Sequence, residues 1–156
     1  MSKYGEAAYA NFFKGYNCSQ SVVLAFAKEM GMTEDTVLRL SAGFGGGMGR
    51  MREVCGAFSG AVLVLGTLYG SPDPRQKTAL YTEVQLLAQR YRECNGRGSI
   101  VCRDLLGLQQ AEGSPVASER TPEYYKKRPC PELVRLAADL MAEYIDEHPL
   151  PASKGE

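Results

Sequence analysis

The chain has 156 residues, enough for one domain, and 44% of them are hydrophobic, which excludes a disordered chain. Lys plus Arg total 18 and so do Asp plus Glu, so no basic excess recommends nucleic acid or an anionic membrane as a partner. The first residues, Met1-Ser2-Lys3-Tyr4-Gly5-Glu6, lack the apolar stretch of a secretory signal, so the expected location is the cytoplasm.

Helical signals run from end to end, and no alternating strand pattern competes with them. A first helix is expected over about Ser2 to Phe13, with Ala7, Ala8 and Phe12 or Phe13 inward. Gly15 ends it. A second is expected from Cys18 to Met30, capped by Asn17 and stopped by Gly31, with Val22, Val23, Phe26 and Met30 at helical spacing. Thr33 caps a short third helix that buries Val37, Leu38 and Leu40. The glycine loop Gly43-Phe44-Gly45-Gly46-Gly47-Met48-Gly49 follows, and a central helix is expected from Arg50–Glu53 to Tyr69. The run from Val54 to Gly70 is uncharged but short and rich in glycine, so it reads as a buried helix and not as a membrane span.

Asp73-Pro74 is a cap followed by a proline at the first helical position, and starts a helix that ends at Asn95-Gly96. Its apolar positions are Leu80, Val84, Leu87 and Tyr91. A shorter helix is expected over Ile100 to Leu106, then a surface loop over 108–120, then a turn of helix from Thr121-Pro122-Glu123. The last helix runs from Pro131 to Glu147, with Leu133, Leu136, Leu140 and Ile145 inward. The expected architecture is an all-α bundle of about six to eight helices around a glycine-rich central one. One domain covers 1–148, with a disordered tail over 149–156.

Four of the five cysteines fall where these helices begin: Cys18, Cys55, Cys102 and Cys130. A helix start presents unpaired N–H groups and the positive end of the peptide dipole, an environment that favours thiolate. Thiolates attack disulfides and bind metals. If the four starts converge, each supplies about half a positive charge. The sum, about +2, would offset the net −2 of four thiolates around a dipositive metal or an oxidised two-iron cluster. Arg50 and Arg52 would add to that field, and Cys130-Pro131 matches a cysteine-proline step that often ends cluster-binding runs. Cys94 sits at the wrong end of its helix and reads as packing or surface.

Gly56 and Gly60 share one helix face next to Cys55, at a cost that a close approach by another helix or a cofactor would explain. A loop whose amides wrap the Cys55 sulfur is the expected role of Gly47 and Gly49. The loop does not fit a nucleotide: Arg50 and Met51 stand where a phosphate loop needs Lys and Ser or Thr, and no strand precedes it. The chain has one histidine, His148, expected at a solvent-exposed helix end, and no Cys-x-x-Cys-His site for haem. The stretch Tyr124-Tyr125-Lys126-Lys127-Arg128 reads as a solvated face that could also line a site beside Cys130.

Cys55-Gly56-Ala57-x-x-Gly60, preceded by Cys18 and followed by Cys102 and Cys130, resembles the family of redox-active proteins named for a C, GCAxxG, C, C pattern. Asn17-Cys18-Ser19 and Cys102-Arg103-Asp104-Leu105-Leu106-Gly107 fit it too. Here cysteine precedes glycine, a CGAxxG order that is also used for these proteins. The resemblance implies a redox role for the four cysteines, by disulfide cycling or by cluster binding, and implies no substrate. The expected function is therefore a cytoplasmic redox protein whose four cysteines bind an iron–sulfur cluster or another thiophilic metal such as zinc, with Gly47, Gly49, Arg50, Gly56, Ala57 and Gly60 around it. The alternatives are a metal-free thiol–disulfide protein and a helical interaction module with structural cysteines. An unidentified redox partner and a homodimer are the expected associations.

Overall fold

In the computed structural model, which describes residues 1–110 and 113–151, the chain folds into eight α-helices. These are α1 (Lys3–Phe13), α2 (Cys18–Ala25), α3 (Glu34–Ser41), α4 (Gly56–Tyr69), α5 (Lys77–Cys94), α6 (Cys102–Leu106), α7 (Pro122–Lys127) and α8 (Cys130–Glu147). Short 3-10 turns at Ala42–Phe44 and Pro74–Gln76 follow α3 and precede α5. Among the described residues the single strand-like pairing is an isolated antiparallel bridge between Val54 and Val101.

The starts follow from side chains that satisfy the first free amides. Ser2, Thr33 and Thr121 each accept from the amide three residues on, and Asn17 with Gln20 forms a reciprocal capping box. Pro122 then occupies the first turn of α7, where its missing N–H costs nothing. Asp73 caps the 3-10 turn through the Arg75 amide.

Helix α8 packs against α1, α2, α4 and α5, and α2 packs against α1 and α4. The core between them is built from fully buried Phe12, Val22, Val23, Phe26, Val64, Leu65, Val134 and Met141. Gly56 and Gly60 of α4 have a close neighbour in α2, and a Cβ on Gly56 would also lie 2.8 Å from the Phe44 carbonyl oxygen. A Cβ on Gly60 would lie 2.9 Å from the Ser19 carbonyl oxygen, and one on Gly56 would lie 3.2 Å from the Cys18 Cβ. The small face thus lets two backbones meet beside Cys18.

Several boundaries differ from the sequence expectation. Helix α2 ends at Ala25, because Phe26 leaves helical geometry and its amide and that of Ala27 bond three residues back. Phe26 and Met30 are nevertheless buried in the turns that follow. Ala7 faces solvent. Helix α6 starts at Cys102 because Ile100 and Val101 run extended alongside residues 53–55. The largest correction concerns α4, which begins at Gly56 and not at Arg50–Glu53. Arg50 and Arg52 have φ of 67° and 60°, which no right-handed helix admits.

No described helix is long and apolar enough to cross a membrane, and the uncharged run from Val54 is mostly α4. His148 follows α8, exposed, with its ring stacked on Tyr144. Of the tail expected to be disordered, residues 152–156 lie outside the described residues.

Candidate functional site

The four helix-start cysteines meet. Cys18, Cys102 and Cys130 are the first residues of α2, α6 and α8, and Cys55 is the residue that precedes α4. All four line one cavity of about 70 Å³. Cys55, Cys102 and Cys130 are 5%, 8% and 9% exposed, and Cys18 is partly exposed. Cys94 ends α5, faces solvent and takes no part in the cavity.

Two devices bring the starts together. The first is the bridge between Val54 and Val101. The Cys55 amide donates to the Ile100 carbonyl at 2.7 Å and the Cys102 amide donates to the Glu53 carbonyl at 2.6 Å. Two cysteines nearly fifty residues apart therefore sit on paired backbones. The second is the glycine loop. Gly46, Gly47, Met48, Gly49 and Arg50 all have positive φ, between 53° and 68°, so the chain makes a left-handed turn. Such a turn costs about 1–2 kcal/mol for each residue with a Cβ, here Met48 and Arg50. Amides of Gly49, Arg50, Arg52 and Glu53 donate back to carbonyls of Gly43, Gly45, Gly46 and Gly47 and hold it closed. Gly47 lies on Cys102: a Cβ there would be 2.6 Å from the Cys102 Cβ.

Cys18 and Cys130 line the same cavity and shift each other's protonation in opposite directions. The Cys130 thiol is held below its ordinary range by the hydrogen bond from Cys18, against the cost of burial, with help from the charges of Arg128, Arg52 and Arg120. Cys18 is pushed well up, first by Cys130 and then by desolvation of its sulfur, although the residue as a whole is partly exposed. Cys55 is raised to about 11 by burial, although the Tyr91 hydroxyl, 3.4 Å from its Sγ, and the Phe58 and Ala57 amides oppose the rise. Those amides favour the thiolate without closing a full capping hydrogen bond. Cys102 is raised by burial too, against the pull of Arg52, whose guanidinium donates to its Sγ at 3.7 Å. Of the four, Cys130 is the one whose surroundings favour the thiolate, while those of Cys18, Cys55 and Cys102 favour the thiol.

The predicted site residues divide. Gly47 and Gly56 line the cavity. Ala57 is fully buried behind Cys55, and Gly60 faces Ser19 and Val22 away from the thiols. Gly49 and Arg50 line a wider neighbouring cleft, and Arg50 donates to the Ser114 carbonyl and the Ser118 hydroxyl. Among the other lining residues are Arg120, Tyr124 and Arg128. Arg120 projects from the loop expected over 108–120, and nothing in the local sequence sets it apart. Arg128 and Tyr124 belong to the aromatic, basic stretch already noted beside Cys130. Tyr91, expected as a core position of α5, is the hydrogen-bond partner of Cys55.

A family described as "Putative redox-active protein (C_GCAxxG_C_C)" matches residues 16–144. The chain belongs to that family. The matched span holds all four converging cysteines and ends within α8. Comparison with curated proteins and with solved structures finds no significant match. Among the described residues no group of three or more His, Cys, Asp or Glu side chains is placed so as to hold a metal ion. The cysteines of this family member therefore share a cavity without forming a ready-made metal cage.

Proposed function

We propose that this protein is a thiol redox protein that cycles Cys18 and Cys130 between dithiol and disulfide. The observation that carries the reading is that Cys18 and Cys130, the first residues of α2 and α8, line one cavity whose walls also carry Arg52, Arg120 and Arg128. Cys130 Sγ attacks one sulfur of a partner disulfide and expels the other as thiolate. Cys18 then gives up its proton, attacks Cys130 Sγ in the mixed disulfide and releases the second partner thiolate. Two electrons pass from the protein to the partner, and the reverse exchange with a thiol donor, which is itself oxidised to a disulfide, restores the dithiol. The dipole of the 18-residue α8 favours the Cys130 thiolate throughout.

Alkylation with iodoacetamide, read cysteine by cysteine in a Cys94→Ser background, tests this. A lowered thiol is already ionised below the ordinary value of 9.0, whereas a raised one ionises only above it. Cys130 is therefore expected to react first at neutral pH. Cys55 and Cys102 should follow only as pH rises past that value. Equal labelling of all four at neutral pH would count against the reading.

A second reading keeps the four thiolates as ligands of an iron–sulfur cluster or zinc. Four helix-start sulfurs on one cavity favour it, as do the cationic groups of Arg52, Arg120 and Arg128, which suit a net charge of −2. The thiols would have to draw closer together to ligate. Anaerobic purification with iron, sulfide and zinc analysis separates the readings: stoichiometric metal lost on Cys→Ser substitution at any of the four supports the second, and metal-free protein with Cys130 reactive supports the first.

A further inference from the structure

The cysteine cavity adjoins a wider cleft of about 420 Å³, and the two share Asn17, Gly46, Arg52, Arg120 and Tyr124 on their walls. The cavity itself, about 70 Å³, has room for little beyond the reacting sulfurs. The cleft is within the range of small-molecule sites, roughly 300–1,000 Å³. A substrate that brings a disulfide to Cys130 must therefore lay the rest of its body in the cleft.

The cleft is built to hold negative charge. Its described lining includes no Asp or Glu. Arg120 projects into it from a fixed position: one guanidinium nitrogen donates to the Phe12 carbonyl at 3.1 Å and the other to the Tyr16 carbonyl at 3.0 Å. Its plane lies over the Phe12 ring at 4.1 Å and near the Tyr124 ring at 5.0 Å. These partners are neutral, so the cation keeps its charge while its flexibility is already spent. A held, planar guanidinium is suited to a carboxylate. The opposite wall, Pro115, Ala117 and Ser118, is neutral and is anchored by Arg50 through Ser118.

We propose that the cleft selects small disulfides that carry a carboxylate, with Arg120 as the group that binds it. The inference rests on the thiol reading of Cys18 and Cys130. The chemistry is the exchange already written: the substrate disulfide is reduced to two carboxylate-bearing thiols as the Cys18–Cys130 disulfide forms. Arg120 touches the substrate and not the reacting sulfurs, so it governs binding more than chemistry.

The test uses three disulfides of similar size on the Cys94→Ser protein: dithiodipropionate, which is anionic, hydroxyethyl disulfide, which is neutral, and cystamine, which is cationic. Formation of the Cys18–Cys130 disulfide is followed against disulfide concentration. Saturable reaction with dithiodipropionate is expected, at least about tenfold more efficient than with cystamine, with Arg120→Met raising its half-saturation by about tenfold. The rate with hydroxyethyl disulfide should stay within about threefold in that variant. Any change Arg120→Met causes in the Cys130 thiolate itself would move all three probes alike, so the ratio between probes isolates recognition. Equal efficiency for the three probes, or an equal loss for all three in Arg120→Met, would overturn the proposal and leave the thiol reading intact. Failure of every probe to form the Cys18–Cys130 disulfide would overturn the thiol reading, and this inference with it.

Discussion

Replacing Cys130 with serine is expected to slow reaction of the protein with a small disulfide by at least severalfold at neutral pH. A thiol that titrates near 9 is only about 1% ionised at pH 7, and the thiolate is the attacking form. Cys18, Cys55 and Cys102 are all raised above that value, so each offers still less. Cys130 alone is lowered. Cys18→Ser should behave differently. The serine hydroxyl can still donate to Cys130, so the first attack survives. The mixed disulfide then has no neighbour to resolve it and should accumulate at one adduct per chain, on Cys130, detectable by mass. A Cys130→Ser protein that reacts at the parental rate, in a Cys94→Ser background, would place the nucleophile elsewhere.

Substituting Gly47 with alanine is expected to destabilise the fold by about 2–5 kcal/mol, measured by urea unfolding. Two costs add. The residue has φ of 68°, a region where a side chain costs about 1–2 kcal/mol. The new Cβ would also stand 2.6 Å from the Cys102 Cβ and 2.7 Å from the Glu53 amide nitrogen. Overpacking of that kind typically costs about 1–3 kcal/mol, because the neighbours are a short buried side chain and backbone. Relief requires Cys102 to move away from the cavity, so thiol reactivity at Cys102 should change with stability. Gly49→Ala is the control. Its φ of 53° carries the backbone cost, but nothing lies within 4 Å of its Cβ position. It should lose about half as much.

Several helix starts could be read from the chain because they carry a local signal. Asn17 and Gln20 form a capping box, Pro129 and Pro131 flank Cys130, and Asp73-Pro74 announces α5. Cys18 and Cys130 are at such starts, whereas α4 and α6 begin at Gly56 and Cys102 with no side-chain cap to mark them. What joins the four cysteines is not local. The pairing of residues 53–55 with 100–102 is too short to leave an alternating pattern, and it decides how Cys55 and Cys102 meet. The left-handed turn was hidden for a different reason. Glycines 46, 47 and 49 permit it, but Met48, Arg50 and Arg52 adopt the same region against their preference, so propensity assigns Arg50–Glu53 to a helix. That reversal also decides which arginines serve the thiols. Arg50 turns toward Ser114 and Ser118, and Arg52 turns inward to Cys102. Arg120 reaches the site only because it stacks on Phe12 and bonds the end of α1, a contact made across more than one hundred residues.

The most direct test of the central claim is the disulfide map of the Cys94→Ser protein after mild anaerobic oxidation with a limiting small disulfide. Peptides from unreduced protein should contain one predominant link, Cys18 to Cys130, with Cys55 and Cys102 still alkylatable after unfolding. A map in which Cys18 and Cys130 both stay reduced while other cysteines are linked would contradict the account.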